Sequence, residues 1–139
     1  MTDVVFVDTN ILIYAHDRDA GVKRERAARA LERLWDEQTG RLSIQVLQEF
    51  YVTVTQKLAA ARAGAREVIR TYTPWVHYPT TPATVLRASE IAELSQLSFW
   101  DGLIVASAEQ AGASQLYTED LNAGQTIVGV KIVNPLVEA

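Results

Sequence analysis

The chain has no cysteine, one methionine and two histidines among its 139 residues, and each scarcity removes a class of chemistry. Without cysteine there is no disulfide, no thiolate metal site and no thiol nucleophile. His16 and His77 lack a serine or acidic partner at motif spacing, so an activated side-chain nucleophile has no base, and both read as surface or packing residues. No apolar run approaches the roughly 18 to 20 residues that span a bilayer. Met1-Thr2-Asp3 passes straight into an apolar run without a basic segment or a small-residue cleavage pattern, so no export signal and a cytoplasmic location are expected. Internal repeats and low-complexity tracts are absent as well.

What is present, 48% hydrophobic and 22% charged residues, is the composition of one globular domain spanning 1–139. The net charge is 13 − 17 = −4, which argues against a broadly basic surface that holds nucleic acid. The average conceals clusters. Lys23, Arg24, Arg26 and Arg29 sit together, and Arg62, Arg66 and Arg70 recur every four residues, which lines three guanidinium groups along one helical face. The ordinary reading of that stripe is a solvated face balanced by Glu25, Glu32 and Glu67; the functional one, extended to Lys23 and Arg24, is contact with the phosphates of a polyanion.

Periodicity alternates between strand and helix, as in an α/β domain with parallel strands and right-handed crossovers. Strands are expected at 3–7, 41–43, 76–78, 116–118 and 131–133, the last after a 124–129 loop. Helices are expected at 11–16, 22–38, 44–61, 65–75, 81–97 and 99–111. The 73–82 stretch, rich in Thr and Pro, reads as an internal loop because neither side is large enough to stand alone. Trp35, Trp75 and Trp100 fall among helical apolar positions and read as core or dimer-interface residues.

Four acids stand where apolar elements meet polar breaks: Asp8, Glu49, Asp101 and Asp120. Each has a local explanation. Asp8 can cap the helix that follows, Asp101 completes an S-x-x-D capping pattern with Ser98, and Asp120 can close an Asx turn. Glu49 lies opposite the apolar stripe of Leu47, Phe50, Tyr51, Val54 and Leu58, on a polar side with Gln45 and Gln56. Jointly they suggest more. Ligands gather at the carboxyl ends of parallel strands, where Asp8 and Asp120 fall, and helix N-termini point toward that edge. Clustered carboxylates repel unless a cation stands between them, and oxygen ligands select a hard ion such as Mg²⁺ or Mn²⁺. A receiver domain would carry paired acids after the first strand, and a haloacid-dehalogenase-type phosphatase would carry D-x-D; here the segment is Asp8-Thr9-Asn10.

Val7-Asp8-Thr9-Asn10, Gln48-Glu49-Phe50, Trp100-Asp101-Gly102-Leu103-Ile104-Val105-Ala106-Ser107-Ala108 and Tyr117-Thr118-Glu119-Asp120-Leu121 together resemble the PIN-domain family, and within it the VapC-like toxin ribonucleases of type II toxin–antitoxin pairs. The resemblance runs from about Asp3 to Val133. It implies an α/β/α sandwich around a mostly parallel five-stranded sheet, and an acidic quartet on Asp8, Glu49, Asp101 and Asp120. Asn10 and Thr118 would be polar neighbours, with Asp120 preferred over Glu119 by the T-x-D form. It further implies a Mg²⁺- or Mn²⁺-dependent endoribonuclease acting on RNA, a homodimer and inhibition by a cognate antitoxin. The alternative is a non-catalytic PIN scaffold that binds RNA or protein; such scaffolds usually lose acids, and this chain keeps all four.

Overall fold

The computed structural model describes residues 3–137. Five short strands, β1 (Val5–Val7), β2 (Gly40–Arg41), β3 (Gln115–Tyr117), β4 (Thr126–Ile127) and β5 (Val130–Val133), form one sheet in the order β2-β1-β3-β5-β4. The first four in that order are parallel, and β4 is antiparallel to β5. Around them stand α1 (Thr9–Ala15), α2 (Val22–Glu37), α3 (Ile44–Val52), α4 (Arg62–Tyr72), α5 (Pro82–Ser95) and α6 (Phe99–Gln110), giving the expected α/β/α sandwich. No helix among the described residues is long and apolar enough to cross a membrane.

The sheet is buried on both faces, as its parallel core of β2, β1, β3 and β5 demands. Phe6, Val7, Leu116 and Ile132 pack with Ile11, Leu12, Leu34, Phe50, Ile91 and Val105 in one continuous core. From β1 the chain crosses to β2 on one side and later to β3 on the other. That reversal makes the gap between the carboxyl ends of β1 and β3 the topological switch point, the crevice where open parallel sheets take ligands.

Two helix positions set the geometry near that crevice. Ser98 caps α6, its Oγ accepting from the Asp101 N–H at 3.1 Å, as the S-x-x-D pattern predicts. Gly102 then lets α6 press onto α5: a Cβ there would stand 2.6 Å from the Ala88 carbonyl oxygen. Arg87 of α5 closes the same pair with two bonds to Glu109 of α6, at 2.8 and 2.9 Å.

Three sequence expectations are corrected. Residues 76–78 form no strand: Trp75 accepts one bond from the Leu42 N–H at 3.0 Å, but β2 is only two residues long, and Pro79 has no N–H with which to extend a ladder. The 124–129 loop contains β4, paired to β5 across a two-residue turn in which Val128 and Gly129 both have positive φ (44° and 84°). Such a hairpin is usually announced by Asn-Gly or Asp-Gly, and a β-branched residue at positive φ is strained, so Val-Gly carried no turn signal. The 44–61 helix is interrupted: α3 passes into a π-helical turn (Thr53–Lys57), and Ala59, at φ 54°, ends the run. The long helix before β2 and the boundaries of α5 and α6 follow expectation closely.

Candidate active site

Asp8 follows β1 directly and begins α1. One carboxylate oxygen accepts from the Thr9 N–H at 2.7 Å, so the capping role is real. The other accepts from the Thr118 hydroxyl at 2.8 Å and, longer, from the Asn10 amide at 3.4 Å. Thr118 follows β3, the parallel neighbour of β1, so sheet register alone brings these two groups together. The Thr118 oxygen also accepts from the Asp120 N–H at 3.0 Å, while Asn10 donates to the Asp120 carboxylate at 3.0 Å and accepts from the Glu119 N–H at 3.2 Å. Asp8, Asn10, Thr118 and Asp120 thus form one hydrogen-bonded unit across two strand ends.

Glu49 reaches this unit from α3. Its carboxylate accepts from the Thr9 hydroxyl at 2.6 Å and from the Gln45 amide at 3.4 Å. The same Gln45 nitrogen donates to the Trp100 carbonyl at 3.4 Å, tying α3 to the first turn of α6, immediately before Asp101. Gln45 is buried, so the polar side of α3 that the sequence assigned to Glu49 and Gln45 faces the cleft at these positions, while Gln56 is exposed. Asp101 is half-buried at the N-terminus of α6, and its carboxylate has no hydrogen-bond partner among the described residues. Thr9, Asn10, Glu49 and Asp120 share a cleft of about 430 Å³ with Ile13 and Val52; Asp8, buried behind Thr9 and Asn10, and Asp101 are outside its lining.

The electrostatics follow from burial. Asp8 is 6% exposed, and its pKa rises from 3.8 to about 6. Desolvation is the largest cause, and the charges of Asp120 and Glu49 add to it against the lowering bonds from Thr118 and Thr9. These carboxylates are therefore close enough to repel. Among the described residues, however, no three His, Cys, Asp or Glu side chains converge as a ready-made cage; the acids turn instead to Thr9, Asn10 and Thr118. The donor set is oxygen only and open to solvent, which fits a Mg²⁺-like ion, since such an ion keeps several waters and takes one or two carboxylates. Asp8, Glu49 and Asp120 are the residues that would hold it, with Asp101 available from α6.

Glu119 is occupied elsewhere. It pairs with Lys23 at 2.6 Å and accepts from the Tyr14 hydroxyl at 2.6 Å; burial acts to raise its pKa, but these two partners outweigh it and hold the group below the usual carboxylate value. Asp120 is the acid of this pair that enters the cleft. The basic clusters separate. Lys23 borders the site, while Arg24 lies on another side of α2, close enough to His16 to reinforce the lowering of its pKa by burial. Arg62, Arg66 and Arg70 are exposed on α4 and make no contact with the acids among the described residues; Arg70 pairs with Glu67 on its own helix. His16 packs edge-on against Phe50 and Tyr72, and His77 is exposed. Trp75 is core; Trp35 packs against it but is 45% exposed, and Trp100 is 62% exposed. Sequence reasoning missed Thr9 and Gln45 as supports of Glu49. Thr9 stands inside the Asp8-Thr9-Asn10 motif, and Gln45 is one helical turn before Glu49, so an i, i+4 pairing was available as a signal.

Comparison with known proteins bears on the fold that carries this arrangement. The family profile described as PIN domain matches residues 5–126. No curated protein matches the sequence. Among solved structures, a toxin–antitoxin complex from Klebsiella pneumoniae contains a chain 24% identical with a TM-score of 0.68, covering 95% of this chain and 97% of that one. A DNA-bound VapBC from Salmonella typhimurium matches at 18% identity and 0.65, covering 96% and 99%. VapC20 from Mycobacterium tuberculosis, described as a sarcin–ricin loop cleaving toxin, matches at 19% and 0.62, covering 84% and 89%. At these identities the likeness is one of fold.

Proposed function

The chain belongs to the PIN-domain family, and from that premise we propose that it is a Mg²⁺- or Mn²⁺-dependent endoribonuclease, the toxin of a toxin–antitoxin pair. The observation that carries the reading is the buried Asp8, raised to about 6 at a sheet switch point and coupled by charge to Glu49 and Asp120, which line the open cleft beside it. Burying like charges without an internal cation is costly, and such a site earns its place by binding a cation from solution. A bound divalent ion supplies charge neutralisation at a phosphate and an acidified water. The chain's own residues orient the donors: Thr118 and the Thr9 N–H fix Asp8, Asn10 fixes Asp120, and the Thr9 hydroxyl with Gln45 fixes Glu49. None of these bonds needs a side-chain nucleophile.

The partners are proposed on the same basis: an RNA substrate, a second copy of the chain and a cognate antitoxin in the cytoplasm. An antitoxin tail carrying Arg could enter the acidic cleft in place of the cation, because guanidinium pairs bidentately with carboxylates. Incubating the protein with RNA and Mg²⁺ or Mn²⁺ tests the activity: cleavage is expected with either ion and none in EDTA. Undiminished cleavage in chelator overturns the metal-dependent reading.

A further inference from the structure

On the other side of the β3 terminus from the acidic cleft, α2 and β5 enclose a groove of about 710 Å³. Its cations are Arg26, Arg29, Arg33 and Lys131, and among the described residues no acid lines it. In a chain of net charge −4, this is a local reversal of sign. Two of the four are committed within the protein: Arg26 donates to the Leu136 carbonyl at 2.8 Å, and Arg33 to the Tyr117 hydroxyl. Arg29 and Lys131 are exposed and have no side-chain partner among the described residues. Exposed like charges such as Arg29 and Lys131 attract a polyanion, because each phosphate contact releases condensed cations.

The groove leads to the site. At 100° per residue Lys23, Arg26, Arg33 and Arg29 fall within about 120° of one face of α2, while Arg24 points away from it. Lys23, at the site end, pairs with Glu119, the neighbour of Asp120. From Lys23 to Arg33 the helix rises about 15 Å, the length of a short phosphodiester segment. Tyr117 lines the groove, and the next residue, Thr118, bonds Asp8.

We propose that the α2–β5 groove binds the phosphate backbone of the RNA flanking the scissile bond, with Arg29 and Lys131 making the free phosphate contacts and Lys23 marking the passage into the cleft. This rests on the ribonuclease reading and adds the track by which the strand reaches the site. The stripe on α4 is thereby set aside as the principal RNA contact.

The test compares Arg29→Gln with Lys131→Gln, made together, against Arg62→Gln with Arg66→Gln, which remove the same charge from α4. Binding of a labelled mixed-sequence single-stranded RNA is followed by anisotropy across a salt series, in the Asp101→Asn background, and cleavage of the same RNA is measured in Mn²⁺. Each single-strand phosphate contact contributes about 0.7 to the slope of log K against log salt, so the groove pair should flatten it by about 1.4 and weaken binding roughly 10-fold or more at low salt. KM should rise with kcat nearly unchanged, and the α4 pair should do neither. An unchanged slope for the groove pair, or an equal loss for the α4 pair, overturns the proposal. If the wild type cuts RNA and the groove pair keeps its KM, the groove fails alone. If no RNA is cut yet the groove pair loses affinity, the nuclease reading fails alone.

Discussion

At the strand ends Asp8 and Asp120 are gripped by neighbouring donors, Thr9, Asn10 and Thr118, whereas on the helices Glu49 depends on Thr9 and a longer bond from Gln45, and the Asp101 carboxylate has no hydrogen-bonded partner among the described residues. The contrast reflects how each residue is placed. Parallel register delivers β1 and β3 to one edge with backbone precision, so Asp8 can be buried and satisfied from within, and Asp120, though exposed, is held by Asn10. A helix-borne acid arrives through side-chain packing and keeps freedom of rotamer. The strand half of the site is held by more hydrogen bonds than the helix half, and Glu49 and Asp101 would be the ligands with most freedom to adjust if a cation were bound.

The strongest way to break this comparison is to remove one acid from each half. Asp8→Asn and Asp101→Asn should each lower RNA cleavage by roughly 100- to 1000-fold, the scale of deleting one preorganised charged group. Single-turnover assays decide it, and near-normal activity in Asp101→Asn would reduce the site to three acids. The halves should differ in stability instead. Because folding raises the Asp8 pKa, it favours the protonated acid; the associated stability is full below about pH 4 and is lost as pH rises through about 6. Asp8→Asn should therefore be more stable than wild type at pH 8 in EDTA, by up to about 3 kcal/mol, and the difference should vanish near pH 4. Asp101→Asn should show no such pH-dependent gain. Denaturant melts across pH measure both.

Thr9→Val addresses the bond joining the halves. It leaves Glu49 without its shortest donor and should cost about 10-fold in cleavage, the lower end for groups that orient a ligand. Rescue by Thr9→Ser separates the hydroxyl's role from packing. The smallest effect is expected farthest from the cleft: Arg62→Gln with Arg66→Gln should change stability by no more than about 0.5 kcal/mol, as exposed substitutions generally do, and leave kcat unaltered. A large loss of activity there would return α4 to the substrate path.

Three of the four acids proposed for the site were legible because each stands at a recognisable element boundary: Asp8 after a doubly buried strand, Asp101 in a capped first turn, Asp120 after a strand-like run. Glu49 was legible only through the family pattern, since on a helical wheel it belongs to a polar face that solvent would normally claim. Its supports were not, because Thr9 contacts a residue 40 positions away and Gln45 is buried against the start of α6. The β4–β5 hairpin stayed hidden because Val128 adopts a backbone conformation its side chain disfavours, which only pairing with β5 sustains.

Composition and periodicity by themselves determined the class of the protein: an α/β domain without cysteine chemistry, with acids at strand and helix ends, because burial patterns and capping preferences are local and repeat along the chain. Only the tertiary structure decided that Glu119 turns to Lys23 while Asp120 enters the cleft, that Asp101 remains apart, and that Arg29 and Lys131, 102 positions apart in sequence, share one basic groove. Those choices depend on strand order and helix packing, which bring distant residues within reach of one another.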